Sequence, residues 1–315
     1  MSNITVSLSP HVRDTKSTFS IMRDVLIALL PACLVSVYYY GPNVLIILAV
    51  AIASAVICEY VWCKAFKKDP TISDLSAMVT GLLVGMNVPP TAPWWLVAIG
   101  SAFAIIVVKQ MFGGLGQNFM NPALAARAFL LASWPVRMTS FVDPATDAVT
   151  SATPLATIYG KAQGTLPAIG DMLAGNMPGV IGEVSKAALL LGFAYLLLRQ
   201  VVELKIPCVY IGTVFILSTL FGADTVSLHT GVYAIASGGL FLGAMFMATD
   251  YVTSPLTGWG RIIFAFGCGL ITFIIRKFGK YPEGVTYAIL LMNVATPLID
   301  RFIKPRKYGE VSKAK

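Results

Sequence analysis

The stretch Gly81-Leu-Leu-Val-Gly85-Met86 recurs later in the chain as Gly239-Leu-Phe-Leu-Gly243-Ala-Met245, and this repeat decides the predicted fold. Each copy lies in a glycine-rich apolar segment that runs into turn residues, with Pro89-Pro90 after the first copy and Ser254-Pro255 after the second. Close packing of helices through glycine accounts for the glycines themselves. The repeated arrangement as a whole predicts a binding site near the middle of a membrane, where interrupted helices of two repeats meet.

The composition is that of an integral membrane protein. Of the 315 residues 57% are hydrophobic and only 12% are charged, and the mean hydropathy is +0.76. A soluble domain has about 25% charged residues. Spans of about 20 apolar residues predict ten segments, of which the fifth and sixth are short: 21–40, 43–63, 73–89, 92–109, 121–135, 185–199, 206–222, 231–249, 260–276 and 283–303.

The two copies of the repeat are five spans apart, which is an odd number, so the second copy must be inverted relative to the first. We therefore predict an all-α integral membrane protein with about ten transmembrane helices in two inverted five-helix repeats. Residues 1–135 form the N-terminal tail and first repeat, 136–184 an extramembrane loop, 185–303 the second repeat and 304–315 a tail.

Lysine and arginine in the short loops set the predicted orientation. They follow the second span, flank the connection between the sixth and seventh spans, and are frequent at the C-terminus. Because positively charged loops favour the cytoplasmic side, we predict that both termini are cytoplasmic and that residues 136–184 lie outside. The net charge of +8 is therefore an orientation signal and does not indicate nucleic-acid binding. The loop 276–280 violates the rule, and either a packed or functional role or a miscounted span would explain it. The polar start, Met1–Ser20, is not typical of a cleavable signal peptide.

Cysteine and histidine do not predict a metal or iron–sulfur site. No pair of cysteines has C-x-x-C spacing, and the two histidines are too far apart in sequence to suggest a ligand pair. We expect the cysteines to be small buried apolar residues: Cys33, Cys58, Cys63, Cys208 and Cys268.

The run Asp147-Ala-Val-Thr150-Ser151-Ala-Thr153-Pro154 lies in the longest polar stretch of the chain. A hydroxyl residue followed by proline is the usual start of a helix, and local physics favours that interpretation of Thr153. It is compatible with a second one, because a phosphate esterified to Thr153 would lie against free backbone N–H groups.

A second stretch joins flexible glycines to a helix start, with Gly114, Gly116, Asn118 and Asn121-Pro122 in order. Its backbone could approach a flat ligand or a phosphate closely, and a plain re-entrant turn is the alternative.

Charged residues inside predicted spans are costly and therefore suggest function. Arg127 lies in the fifth span and Asp74 opens the third. Glu59 and Asp300 lie near the cytoplasmic ends of the second and tenth spans. A role in cation uptake is as good an interpretation of them as interfacial snorkelling or an ion pair with a nearby arginine.

Taken together, these stretches resemble one family over essentially the whole length. The chain resembles the D subunit of the Rnf-type ion-translocating electron transport complex, which is homologous to the B subunit of the sodium-pumping NADH:quinone reductase. The short N-terminus favours the former. Five ordered motifs carry the resemblance: Ser9-Pro10-His11, Ile21-Met22 with Pro31-Ala32, Gly114-Leu-Gly116-Gln-Asn118 with Asn121-Pro122-Ala123, Asp147 with Ser151-Ala-Thr153, and Met247-Ala-Thr249-Asp250 with Thr253-Ser254-Pro255.

The resemblance implies FMN bound covalently through its phosphate to Thr153. Asp147, Thr150 and Ser151 match the surrounding pattern, with serine at 151 where glycine is common in relatives. It also implies a flavin transferase that uses FAD as donor, and a fold related to urea transporters. A second, non-covalent riboflavin is implied deeper in the membrane, where we expect it near Gly114, Gly116, Asn118 and Asn121.

By the same resemblance, the chain relays electrons in a ferredoxin:NAD oxidoreductase that moves sodium ions or protons across the cell (inner) membrane. Partner subunits would bind NAD and iron–sulfur clusters, and membrane lipid would surround the chain. The competing hypothesis is a solute channel or transporter on the same inverted-repeat fold without a redox role.

Overall fold

The computed structural model describes residues 17–69, 71–144, 149–150, 153–160, 166–222, 226–279 and 283–304, with only the backbone at 149–150. The predictions for the Ser9-Pro10-His11 motif, Asp147 and Ser151 lie outside these residues.

The first half contains five main helices. Helix α3 follows a short 3-10 turn, Ile72–Asp74, and α4 continues as a π-helix over Ala104–Gln110. The bounds are α1 Thr18–Tyr40, α2 Asn43–Ala65, α3 Ser76–Met86, α4 Trp94–Phe103 and α5 Pro122–Ser133.

The middle of the described chain consists of short elements. Strands β1 (Phe141–Val142) and β2 (Val149–Thr150) pair antiparallel, with Phe141 opposite Thr150. A 3-10 turn, Ile181–Glu183, precedes the next long helix. The short helices are α6 Pro135–Met138, α7 Pro154–Ile158 and α8 Ile169–Ala174.

The second half, over its described residues, contains six α-helices. Helix α12 continues as a π-helix over Gly243–Met247. The bounds are α9 Lys186–Leu198, α10 Lys205–Phe221, α11 Leu228–Ala236, α12 Leu240–Leu242, α13 Gly258–Phe278 and α14 Val285–Phe302.

Each predicted span coincides with a helical segment, but the segments differ in length. Among the described residues three helices are long and apolar enough to cross a membrane, namely α1, α2 and α13. A fourth candidate is the pair Leu228–Ala236 and Leu240–Met247, bent by 68° at its break. The protein is thus mostly helical with several apolar helices, as a multi-pass membrane protein requires.

The first copy of the repeat is a short helix buried inside the protein. Nine of the eleven residues of α3 are buried, and at about 1.5 Å per residue it reaches only about half of the ~30 Å hydrocarbon layer. Residues 87–90, which follow it, are all buried as well. Non-helical backbone at membrane depth is tolerated where protein surrounds it.

Glycine allows α3 to lie directly against α2. A Cβ at Gly81 would stand 2.7 Å from the backbone oxygen of Ala51 and 2.9 Å from the Cβ of Ala55. Glycine likewise allows α9 to pack closely against α1, because a Cβ at Gly192 would overlap the backbone oxygen of Ala28. Gly81 therefore serves helix packing, as one of the two interpretations of the repeat predicts, and Gly192 does the same outside the repeat.

The loop that violated the charge rule is packed into the protein at its start. The Arg276 side chain is 0% exposed, and its guanidinium donates to the backbone oxygen of Ala234 at 2.7 Å. Lys277 donates to the backbone oxygen of Phe221. Two of the charges therefore cap the neighbouring helices α10 and α11, which supports the packed interpretation.

Three cysteines are buried as predicted, Cys33, Cys63 and Cys268. Cys58 is half-buried. The prediction is wrong for Cys208, which is exposed. Helix α10 is apolar on its outer face as well as its inner one, so apolar surroundings in the sequence did not distinguish the two faces.

Candidate functional site

Thr153 caps helix α7, as the Thr-Pro sequence predicts. Its backbone is extended, with φ −100° and ψ 155°, and its hydroxyl accepts from the backbone N–H of Ala156 at 3.4 Å. The residue is half-buried, whereas Leu155 is only 2% exposed. The hydroxyl thus makes a long capping bond and is only half-buried, whereas Leu155 in the same helix belongs to the interior.

Helix α7 rests on the break in the bent span. A Cβ at Gly238 would lie 3.2 Å from Leu155 Cδ2, so the leucine packs directly on this break. At the end of α7, the hydroxyls of Tyr159 and Ser218 are 2.8 Å apart, which joins α7 to α10. Thr153 is therefore held beside the second copy of the glycine repeat. Of its predicted motif partners, the structure gives Thr150 only as backbone in β2.

A cavity lies between α1, α3, α5 and the segment after α12. Small-molecule sites usually combine apolar walls with a few polar groups. The walls have that character, with apolar side chains from α1, α3 and α9. The polar residues in the lining are Ser76, Thr80, Lys109, Asn118, Asn121, Thr249 and Asp250.

Two of the four residues predicted for the second flavin, Asn118 and Asn121, line this cavity, together with Leu115. Gly114 and Gly116 flank Leu115 without lining it, and both have positive φ, 99° and 87°. Asn121 is also a helix cap, since its Oδ1 accepts from the N–H groups of Ala123 and Leu124. The glycines therefore shape the turn that brings the asparagines to the wall.

Glu59 lies in a buried polar cluster at the other side of that wall. The carboxylate is 0% exposed and pairs with Lys109 Nζ at 2.8 Å, and Thr71 also donates to it. Lys109 in turn donates to Ser76 Oγ at 2.6 Å, and the backbone N–H of Ser76 donates to Asp74 Oδ1 at 2.8 Å. Because Lys109 and Ser76 line the cavity, this cluster joins Glu59 to it. The ion-pair interpretation of Glu59 fits this geometry, with lysine in place of arginine.

Asp300 belongs to a separate region. Its Oδ1 accepts from the backbone N–H of Leu256 at 3.1 Å, and within the described part of the chain it makes no ion pair with Glu59's cluster. The two ion-path candidates are therefore not joined by direct contacts.

Outside the helices, Glu203 lies in the connection between α9 and α10. Hydrogen bonds from Lys205 at 3.1 Å and Arg261 at 2.9 Å hold the pKa of this carboxyl below its usual value. All three groups are partly exposed, so we expect little net stabilisation from them.

A second buried cluster was only partly anticipated. Arg127, noted as a charge inside a span, pairs with Glu283, lies 3.6 Å from Glu183 and donates to Asn87 Oδ1 at 2.9 Å. The two glutamates lie at the borders of predicted spans, where a carboxylate looks like an ordinary loop residue. A buried arginine in need of counter-charges was the only signal that could have found them.

The comparison with known sequences is consistent over nearly the whole chain. Residues 5–309 match the family model described as the NQR2, RnfD, RnfE family. The chain belongs to this family. It is 53% identical to the D subunit of the Na⁺-translocating ferredoxin:NAD⁺ oxidoreductase complex of Acetobacterium woodii, with 98% of this chain and 96% of the relative covered.

Two further relatives carry related descriptions. The D subunit of the proton-translocating ferredoxin:NAD⁺ oxidoreductase complex of Clostridium ljungdahlii is 46% identical, with 97% of this chain and 96% of the relative covered. The D subunit of an ion-translocating oxidoreductase complex of Halorhodospira halophila is 38% identical, with 95% and 94% covered. The family resemblance inferred from the motifs is thereby confirmed.

Proposed function

We propose that this chain is a membrane flavoprotein subunit that relays electrons in a ferredoxin:NAD oxidoreductase complex coupled to transport of sodium ions or protons. The observation that carries the proposal is Thr153, a half-buried hydroxyl at the edge of the protein whose capping bond to Ala156 measures 3.4 Å. An FMN phosphate esterified there by a flavin transferase would leave Leu155 and the packing of α7 in place. The family supports the proposal, since the three relatives are D subunits of ion-translocating oxidoreductase complexes.

The cavity between α1, α3 and α5 is the proposed place for a second flavin, a riboflavin. Its lining fits a flat, largely apolar ring with a polar edge. Asn118 and Asn121 on one side and Lys109 and Ser76 on another would hold and orient that edge. Bound flavin supplies one-electron chemistry, while the protein contributes position and electrostatics.

The ion path is proposed to include Glu59 and Asp300. Glu59 is the better placed of the two, since Lys109 connects its carboxylate to the wall of the flavin cavity. A change in charge within the cavity would alter the Lys109–Glu59 interaction, because electrostatic effects are strong in a dry interior. Asp300 lies near the proposed cytoplasmic side of α14.

The proposed topology is ten spans in two inverted repeats, with both termini in the cytoplasm and residues 136–184 outside the inner membrane. A covalent tether suits an outward-facing site, where a dissociated cofactor would be lost. NAD and iron–sulfur clusters are assigned to partner subunits of the complex.

In-gel fluorescence tests the proposal. The chain is expressed with the flavin transferase, denatured, separated by electrophoresis and viewed under ultraviolet light. We expect a fluorescent band for the wild type and for Thr157→Ala, and a dark band for Thr153→Ala. Thr157 is a matched control, because it is a neighbouring threonine of the same helix that donates to the backbone oxygen of Thr153.

The competing function is a solute transporter without a redox role, and the cavity is the observation that favours it. A dark wild-type band from cells that make the transferase would support the transporter and overturn the redox proposal. A second alternative, a B subunit of an NADH:quinone reductase, gives the same fluorescent band and is disfavoured by the descriptions of the relatives.

A further inference from the structure

Five charged side chains meet where α5, α9, α13 and the break in the bent span come together. They are Arg127, Glu183, Lys186, Arg276 and Glu283. Glu283 pairs with Arg127 and accepts from the backbone N–H of Gly239 at 2.6 Å. A Cβ at Gly239 would stand 2.8 Å from Glu283 Oε1 and 2.9 Å from Glu183 Oε1. The two carboxylates therefore face the same point of the broken span.

The charges of this cluster do not balance. The two arginines stay protonated under all ordinary conditions, and the two glutamates offset them. Lys186 is the fifth charge, and the ion pairs among the described residues leave it without a carboxylate of its own. With all five groups ionised, the cluster would hold one uncompensated positive charge inside the protein, which is costly.

Lys186 itself has surroundings that disfavour a permanent charge. Its side chain is 0% exposed, and it donates to the backbone oxygen of Glu183. Within the described residues it forms no ion pair. It is also the first residue of α9, where the positive end of the helix dipole repels a cation. Burial, the lack of an ion pair and the position at the start of α9 favour release of the proton. The hydrogen bond to the backbone oxygen of Glu183 and the nearby carboxylates of Glu183 and Glu283 favour its retention, so opposing effects act on this proton.

Other titratable groups among the described residues face the cluster. Tyr210 of α10 interacts with Arg276 and Glu283, and Tyr40 interacts with both Glu183 and Asp143. Tyr40, at the end of α1, donates to the backbone oxygens of Met177 and Gly179. Asp24 of α1 lies at the opposite end of α9, bonded to Tyr195 and Arg199. Asp171 of α8 is exposed.

We propose that this cluster is a proton-binding site, which holds one exchangeable proton on Lys186 beside Glu183 and exchanges it when the flavin on Thr153 changes redox state. Binding converts the lysine amine to an ammonium and takes the proton from water. The electron reaches the flavin from an iron–sulfur subunit of the complex. The second half of the proposal rests on the proposed function.

The link to the flavin is geometric. Leu155, two residues after Thr153, packs on Gly238, and the next residue, Gly239, donates to Glu283. An electron added near α7 brings negative charge toward the cluster, which favours the state that carries the extra proton. Oxidation reverses this preference and favours release.

The first experiment does not depend on the flavin. The protein is labelled with ¹⁵N-lysine, reconstituted in lipid and studied by solid-state NMR from mildly acidic to mildly alkaline pH. We expect one Nζ signal to change from ammonium to neutral amine, and to be absent in Lys186→Met. Lys205→Met is the matched control, because Lys205 is likewise the first residue of its helix but is 55% exposed and pairs with Glu203. If the Lys186 signal stays ammonium throughout, the proton site is overturned.

The second experiment uses the intact complex. Proton uptake on reduction of the flavins is followed with a pH indicator in the wild type, Lys186→Met, Lys186→Arg and Lys205→Met. We expect lower uptake per flavin in both Lys186 variants and unchanged uptake in Lys205→Met. The arginine variant keeps the positive charge but cannot release it, so it separates titration from a structural role. Equal uptake in the wild type and Lys186→Arg would overturn the redox link.

The two failures are distinguishable. If Thr153 carries no flavin, the proposed function fails, whereas a pH-dependent amine signal for Lys186 still supports the proton site.

Discussion

Replacing Lys109 with methionine should destabilise the protein strongly, because it leaves Glu59 buried without its partner. The carboxylate is 0% exposed and the lysine side chain 3% exposed, at 2.8 Å. Removing one member of a buried pair costs about 3–5 kcal/mol, and the lost bond to Ser76 adds about 1 kcal/mol. Replacing both members, as Lys109→Met with Glu59→Gln, removes the uncompensated charge. We expect the double variant to be more stable than Lys109→Met by at least about 2 kcal/mol.

The measurement is the free energy of unfolding of the protein in mixed detergent micelles, for the wild type, both single variants and the double variant. The prediction requires a large favourable coupling between the two positions. If the double variant is destabilised by the sum of the single effects, then Glu59 is not a buried charge held by Lys109, and this account of the cluster is wrong. The same variants, assayed in the complex for dependence on sodium ions and on pH, test whether Glu59 also takes part in ion movement.

Two further predictions concern packing and capping. Gly192→Ala should destabilise the protein by about 1–3 kcal/mol, since the new Cβ overlaps the backbone of Ala28. The measurement is the thermal unfolding midpoint, and Gly212→Ala is the control, because a Cβ at Gly212 meets nothing within 4 Å. The control should leave the midpoint unchanged or raise it slightly. Equal midpoints for both variants would contradict the packing argument. Asn121→Ala should lower the free energy of unfolding by about 1–2 kcal/mol, because the helix cap and the hydrogen bond to the backbone oxygen of Met247 are lost. Chemical unfolding measures this free energy. An unchanged value would show that the cap is dispensable.

The helices were predictable because hydropathy and caps report them directly. Every predicted span coincides with a helical segment, and Thr153 and Asn121 cap helices as the Thr-Pro and Asn-Pro sequences indicate. The sequence did not predict where each helix ends within its apolar segment. Hydropathy predicts a span over 73–89, whereas helix α3 ends at Met86 and buried coil follows it. Apolar residues in that coil extend the hydropathy signal past the end of the helix.

The site was predictable where a residue type is unusual for its position. The asparagines of the glycine-rich turn stood out in an apolar region, and they line the cavity. Lys109 did not stand out, because a lysine at the end of a predicted span looks like an orientation signal. Its role depends on a contact with Glu59, 50 residues away in sequence. Local patterns do not encode such pairs.

The two copies of the glycine repeat have comparable buried cations beside them. In the first, Lys109 donates to Ser76, the first residue of α3. In the second, Arg276 donates to Ala234 and Ser237, just before the break that leads into α12. A short helix that begins inside a membrane protein has polar backbone and side-chain groups at its end that water cannot reach. A buried cation donates hydrogen bonds to these groups. The cation in turn requires a carboxylate nearby to balance its charge. Glu59 meets that need in the first copy and Glu283 lies beside Arg276 in the second. The interrupted helices and the buried charges are therefore consequences of one architecture, and this is why the charges gather near the two places where we propose that flavins act.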